Sequence, residues 1–254
     1  MKEPIYADIQ YLRQFDGPAV HHVYPRSTGR ATKRPPSESI RVPLTDARTN
    51  KDNYSLDEHG FAFISNRSDF AHQGIEYFHE NLGEVKSAYY GECTELVMDH
   101  TGASHVIAFD HNLRSLKRSE LGYTNMNEPV RFCHNDYTHE SGPKRLTALL
   151  NENSTEPMSH RYAFINVWRP LMQPVVDKWP PHVDEIYSIR HSAAHEWVYF
   201  SDMTIDEVIL LKCYDSVEDG RARFTPHTAI DLPSRTPQTP PRESIEVRLV
   251  AFFD

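Results

Sequence analysis

The sequence predicts a mainly β protein with flanking helices (α+β), built as a double-stranded β-helix, the jelly-roll barrel. Three observations predict it. Helical spacing is concentrated in the first half of the chain, with one short helical run at Lys144–Leu150 beyond it. From residue 130 onward, short apolar runs recur at roughly ten-residue intervals with turn signals between them. The length of 254 residues, with 39% hydrophobic residues, 13 Tyr and 12 Phe, suits one sizeable core.

Residues 1–254 are therefore read as a single domain. Residues 1–56 are an extended N-terminal arm: from about residue 20 the chain is polar and rich in Pro, Ser, Thr and Arg, as in Ser27-Thr28-Gly29-Arg30, and segments of this kind wrap a surface or lid a site. Residues 57–129 supply a helical buttress and the first strands. Phe61–Ile64 reads as a strand. Phe70, Ile75, Tyr77, Phe78 and Leu82 recur at helical spacing and predict an amphipathic helix over Asp69–Val85, with a second over Tyr89–Met98. His105–Asp110 reads as a strand leading into a polar loop.

Residues 130–254 hold the core strands. Val130–His134, Tyr162–Arg169, Trp197–Phe200, Glu207–Tyr214, Ala222–His227 and Ser244–Phe252 read as strands, and Lys144–Leu150 as a short helix. Asp219-Gly220 is a hairpin-type turn joining two of these runs.

Composition excludes several function classes. The formal net charge is −9, and Lys and Arg form only short clusters, so neither a nucleic acid nor an anionic membrane is an expected partner. Cys93, Cys133 and Cys213 are odd in number and widely spaced, as in a reduced intracellular protein. The N-terminus lacks an apolar h-region and no stretch reaches membrane-span length, so the expected compartment is the cytoplasm. Open sheet edges leave room for a homodimer.

The chemistry is carried by a spacing. His134-Asn135-Asp136 places one imidazole and one carboxylate on the same face of a strand, with Asn135 turned away. His227, after Thr225-Pro226, supplies a second imidazole. Two His and one carboxylate bind Fe(II) on one face and leave positions open for a co-substrate and O2. Arg242 and Ser244 open the last strand with the same parity, and would hold the far carboxylate of 2-oxoglutarate through a guanidinium fork and a hydroxyl.

The pair alone is weak. With 15 His in the chain, chance gives about one His-x-Asp, and a second copy stands at His182-Val183-Asp184 after two prolines, where a loop is expected. The order of elements gives the first copy its weight: His134 and Asp136 on an early strand, His227 on the penultimate one and Arg242 on the last.

The chain also resembles the fungal hydroxylase/desaturase family of natural-product pathways. The resemblance rests on His134-Asn135-Asp136-Tyr137-Thr138, Asn166-Val167-Trp168-Arg169-Pro170, Lys212-Cys213-Tyr214-Asp215-Ser216, Pro226-His227-Thr228-Ala229 and Pro241 through Arg248, and covers roughly residues 20 to 254. It implies a jelly-roll fold and Fe(II)- and 2-oxoglutarate-dependent oxidation of a small metabolite, by hydroxylation, desaturation or a related radical oxidation. It does not carry over a substrate.

Rival readings stay open. His134 and Asp136 could be a hydrogen-bonded core pair. His195 competes with His227 as the distal ligand. Arg169, on a strand facing the barrel, rivals Arg242 for the carboxylate or anchors an acidic substrate. Arg248 shares the parity of Arg242 but is placed further down the strand, away from the metal end. Tyr137 and Trp168 are read as packing residues before pocket residues. A non-catalytic, partner-dependent barrel and a cupin-like metal-dependent isomerase or hydrolase are the other function classes.

Overall fold

The computed structural model describes residues 5–16, 35–121, 126–127, 129–153, 160–171, 186–232 and 242–254. In chain order the strands are β1 (Ile5–Leu12), β2 (Ser37–Asp46), β3 (Phe61–Ser65), β4 (His105–Ser115), β5 (Met126–Asn127), β6 (His134–Asn135), β7 (Arg161–Pro170), β8 (Tyr187–Ser188), β9 (Trp197–Tyr199), β10 (Glu207–Asp215) and β11 (Glu243–Phe253). Among the described residues they form a six-stranded sheet in the order β3-β10-β7-β11-β4-β5, a three-stranded sheet β1-β2-β9 and the pair β6-β8. The large sheet is antiparallel except for β4 with β5. This is the mainly β, jelly-roll arrangement with flanking helices that the sequence predicts, although the sheets stay separate and do not close into a continuous barrel.

Both faces of the large sheet are covered, which is why β7 and β11 are buried along almost their whole length. Alternation sorts the residues. Ile165 and Val167 of β7, with Ile245, Val247, Leu249 and Ala251 of β11, pack into the main core with Ile75, Phe78, Val85 and Val97 of the helical layer. Phe164 of β7 and Val250 of β11 share the opposite face with Tyr137 and Leu149. Phe164 is fully buried and stacks on Tyr137 at 4.4 Å between centroids, so truncating it to Ala would cost about 3–5 kcal/mol.

The helical layer is more broken than its periodicity suggests. Where one helix over Asp69–Val85 is predicted, the chain makes a 3-10 turn at Ala71–Gln73, helix α1 (Gly74–Glu80), the short turn α2 (Leu82–Glu84) and a π-helical turn at Val85–Tyr89. Asn81, at φ −115°, ψ 47°, interrupts it. The second helix, α3 (Tyr90–Thr101), ends on Gly102 at φ 68°, whose N–H reaches back to Met98 O at 2.9 Å. α4 (Leu116–Glu120) is short, and α5 (Ser141–Asn153) is longer than the predicted Lys144–Leu150.

Two further expectations are corrected. The N-terminal arm is not unstructured throughout: β2 pairs with β1 along its length, because Ile40, Val42 and Leu44 alternate with polar residues, and Val42 and Leu44 are buried. The run Ala222–His227 is not a ladder strand. Gly220 turns at φ 99° as the Asp219-Gly220 signal predicts, but the segment beyond it meets the sheets only through single hydrogen bonds and one bridge at His227.

His111, on β4, is buried against α3 with its Nδ1 at 2.8 Å from the Tyr90 hydroxyl. Burial, with Lys86 as a second cause, pushes its pKa down to about 4. The unfolded chain therefore takes up a proton below about pH 6.5 that the folded chain refuses until about pH 4, and stability falls as pH drops through that window. Between pH 7 and pH 5, urea unfolding should lose about 2 kcal/mol more from the unsubstituted chain than from His111→Gln; parallel pH profiles would remove His111 from the account.

Candidate metal centre

His134 and His227 are brought together by an isolated antiparallel bridge. His134 N donates to His227 O at 3.1 Å, and His227 N donates to His134 O at 2.9 Å. Residues opposed in this way present their side chains on one face, and the imidazole centroids lie 4.5 Å apart. The strand bearing His134 is shorter than predicted: β6 covers only His134–Asn135, and Asp136 stands at the bend beyond it. The bend keeps Asp136 on the side of His134. Its Oδ1 lies 3.6 Å from His134 Nε2 and 3.9 Å from His227 Nε2. Among the described residues, His134, Asp136 and His227 are the metal-capable group that converges, with ligand atoms all within 4.8 Å of one another.

The hydrogen bonds around the triad decide what it can hold. His134 Nδ1 lies 2.9 Å from Phe132 O, and His227 Nδ1 lies 3.2 Å from Thr225 O. A carbonyl only accepts, so each Nδ1 carries a proton and Nε2 is the ring nitrogen turned toward Asp136. Burial, then the neighbouring His227, pushes the His134 pKa down to about 3, so its imidazole is neutral at neutral pH. Asp136 is ionised: burial raises its pKa, but Arg248, the two imidazoles and the hydrogen bond from Asn166 together hold it well below the usual carboxylate range. Asn166 Nδ2 donates to Oδ2 at 2.7 Å, and Arg248 Nε stands 3.8 Å from the same oxygen. That leaves Oδ1 for the triad's centre. Two imidazole Nε2 atoms and one carboxylate oxygen, converging on one point and too far apart to bond each other, are placed to take a cation between them. The donor set fits a divalent ion with mixed N/O preference.

Other parts of the cluster follow from the large sheet. Asn166 and Trp168 of β7 face the triad by alternation. A bulge in β10 between Lys212 and Tyr214 turns Cys213 inward, with Sγ 4.0 Å from Asp136 Oδ2. Asn135, expected to turn away from the triad, does so, and is fully buried with Nδ2 donating to Tyr137 O and Cys213 O at 2.6 and 2.9 Å.

Beside the triad lies a cavity of about 350 Å³, lined by residues from the large sheet, the small sheet and the segment around His227. Arg242, Arg114 and Glu246 are among its charged lining residues, and Phe61, Trp168, Trp197, Tyr199, Phe200 and Leu211 among its apolar ones. Arg242 lies over the Trp168 ring at 5.4 Å. Its Nε and the Ser244 hydroxyl are buried with no hydrogen-bond partner among the described residues. Burial, then the like charge of Arg114, lowers the Arg242 pKa to about 10, so it stays charged.

Two arginines are not where sequence reasoning put them. Arg169 is buried on the helix-facing side of β7, the face opposite Asn166 and Trp168. Its guanidinium donates to Tyr89 Oη at 3.0 Å, to Asn66 O and Ile205 O at 2.7 Å each, and to the Asn66 side chain. That fork is used internally and does not reach the cavity. Arg248, expected far from the metal end, instead stands beside Asp136 and bonds Asp110 Oδ2 at 3.2 Å. Sequence reasoning missed Arg114, although its parity with Asp110 and Asn112 on β4 was a usable signal. His195 lies near Tyr11, with Nδ1 3.4 Å from the hydroxyl, and is not part of the triad. The His182-Val183-Asp184 copy, and the proline-rich loop beyond Leu232 as far as Pro241, lie outside the described residues.

Comparison with known proteins shows the family and the fold. The family described as YDMC, Oxidoreductase/YMDC permease-like domain, matches residues 9–182 and 178–252. The Fe(II)/2-oxoglutarate-dependent dioxygenase nvfI of Aspergillus novofumigatus is 30% identical over 237 residues, covering 84% of this chain and 83% of that protein. The chain belongs to the fungal hydroxylase/desaturase family of oxidoreductases. Within it, the hydroxylase/desaturase CTB9 of Cercospora beticola is 28% identical over 258 residues, covering 85% of this chain and 78% of its own length. A solved structure of the iron and alpha-ketoglutarate-dependent endoperoxidase NvfI superposes with a TM-score of 0.80 over 98% of both chains at 23% identity, and shares the fold.

Arg169→Met strands the Tyr89 hydroxyl and two buried carbonyls, and should lower unfolding free energy by about 2–4 kcal/mol while leaving affinity for a dicarboxylate co-substrate within about twofold. Chemical denaturation and calorimetric titration measure the two effects; a large loss of dicarboxylate affinity would restore Arg169 to the site.

Proposed function

We propose that this oxidoreductase is an Fe(II)- and 2-oxoglutarate-dependent dioxygenase that oxidises a small, largely apolar intermediate of secondary metabolism. The observation that carries the reading is the meeting, on one cavity, of His134 and His227 of the cation site with Arg242, whose Nε is buried with no hydrogen-bond partner among the described residues, as is the Ser244 hydroxyl two residues along the chain. Native proteins satisfy buried polar atoms, and those left over at a cavity wall mark ligand contacts. A guanidinium beside a hydroxyl suits a carboxylate. A cupin-type hydrolase needs no such carboxylate site, and so fits these residues less well.

Fe(II) bound here supplies the coupling of O2 reduction to the oxidation of 2-oxoglutarate to succinate and CO2 and to oxidation of the substrate. The chain's own residues do the rest. His134 and His227 bind through Nε2 and Asp136 through Oδ1, while Asn166 and Arg248 hold Oδ2 and so fix the carboxylate's rotation. Arg242 and Ser244 take the far carboxylate of 2-oxoglutarate, with Arg114 adding positive potential beside them. The aromatic part of the cavity orients the substrate and keeps water from the metal. The family's hydroxylase, desaturase and endoperoxidase members differ in outcome, which depends on how the substrate C–H is placed against these walls.

His134→Ala or Asp136→Ala should abolish Fe(II) binding with the circular dichroism spectrum retained; full iron stoichiometry in either variant would refute the ligand set. In the Fe(II)-loaded protein under nitrogen, Arg242→Ala should weaken 2-oxoglutarate binding about 10- to 100-fold, the worth of a charge-assisted hydrogen bond. Unchanged affinity would transfer the carboxylate to Arg114.

A further inference from the structure

The Lys212-Cys213-Tyr214-Asp215-Ser216 run opens with a buried cation that the reaction does not use. Lys212 is 1% exposed, and its Nζ donates to Asp57 Oδ1 at 2.7 Å and to Asp215 Oδ2 at 3.1 Å. An ammonium taken out of water costs several kcal/mol unless its partners are well placed, and an apolar side chain would fill the same space without that cost. The network's geometry shows what it ties down.

Both aspartates grip the segment that leads to His227, Asp57 through its carboxylate and main chain and Asp215 through its main-chain carbonyl. Asp57 accepts Arg221 Nη1 on Oδ2 at 3.1 Å and Ala222 N on its main-chain oxygen at 2.6 Å. Arg223 Nε donates to Asp215 O at 3.0 Å. The peptide of Lys212 is itself a junction: its N–H donates to Gly60 O at 2.7 Å, and its carbonyl accepts Thr225 N at 2.9 Å. Thr225 O then receives the Nδ1 proton of His227 at 3.2 Å. Gly60, at φ +77°, packs so closely on this segment that a Cβ there would lie 2.9 Å from Thr225 Cβ. Because the segment forms no ladder strand, these contacts do the work that a sheet neighbour would otherwise do.

We propose that Asp57, Lys212 and Asp215 form a positioning network for the metal centre, holding residues 221–227 so that the Thr225 carbonyl orients the His227 imidazole. The proposal rests on His134, Asp136 and His227 being metal ligands. Partners that orient a ligating imidazole set metal affinity, and their loss costs about 10- to 100-fold. The network acts through the Thr225 carbonyl and touches no reacting atom.

Co(II) titration of the full chain under nitrogen, followed by calorimetry and by the visible absorption of the bound ion, tests it. Asp57 is half-exposed, so Asp57→Asn removes its charge without opening the core. Gly60→Ala pushes on Thr225 directly. Tyr89→Phe, which removes a hydrogen bond to Arg169 on the far face of the sheet, is the control for a merely structural loss. Asp57→Asn and Gly60→Ala should each bind Co(II) about tenfold or more weakly with an altered absorption band, while Tyr89→Phe binds as the unsubstituted chain does. Unsubstituted affinity and spectrum in both Asp57→Asn and Gly60→Ala overturn the network's role while leaving the ligand set intact. Failure of the unsubstituted chain to bind Co(II) removes the ligand set, and the network's role with it.

Discussion

The paired hydrogen bonds between the main chains of His134 and His227 are the constraint on which the rest depends. They join two segments 93 residues apart in sequence (227 − 134), neither of which is a long strand. Opposed residues of an antiparallel bridge must project together, so the backbone alone sets the separation of the imidazoles. The carbonyls two residues upstream, Phe132 O and Thr225 O, then fix both tautomers in the same sense. Asp136 completes the group from the bend after the bridge. Its second oxygen is held by Asn166 from a different sheet, which ties the small pair β6-β8 to the large one.

The large sheet separates two kinds of chemistry by the direction of alternate side chains. Its helix-facing side is mostly apolar, with Arg169, whose donors are taken by Tyr89, Asn66 and Ile205, and His111, which meets the Tyr90 hydroxyl, among its buried polar residues. The opposite side carries Asn166, Trp168, Ser244, Glu246 and Arg248 in the space a conventional core would fill with Leu and Ile. Burying so many polar groups is unfavourable unless each is paired. Asp136, Asn166 and Arg248 compensate one another through Asp110 and the imidazoles. Asn166 Oδ1, Arg242 Nε and Ser244 Oγ have no hydrogen-bond partner among the described residues, and there the fold gives up stability for a site that a ligand would complete. Aromatic residues contributed by β3, β9 and the residues after β9 line the same cavity.

Much of this was legible in the chain. Tyr162–Arg169, Glu207–Tyr214 and Ser244–Phe252 are strands within one or two residues of their predicted bounds, because β-branched and aromatic runs of that length have one good backbone solution. The order His134, Asp136, His227, Arg242 is likewise a property of the sequence. Three things were not legible. Pro35-Pro36 and the charges around them hid the alternation of Ile40, Val42 and Leu44. A helical period over Asp69–Val85 did not reveal where Asn81 would break it. A Pro-containing run at residues 222–227 looked like a strand, although its main-chain hydrogen bonds go singly to Asp57 and Lys212 and as a pair to His134.

The sequence by itself determined the fold class, the position of each long strand and the identity of the metal-capable side chains, since strand period and residue chemistry are local properties. Only the tertiary structure decided which face of each strand meets the helices and which end of β11 lies at the triad. Alternation divides Trp168 from Arg169, and Arg248 from Val247, but it does not label either set as inner. That label comes from non-local packing: the helical layer covers the apolar face, so Arg169 is sealed beneath it while Arg248 is left beside Asp136.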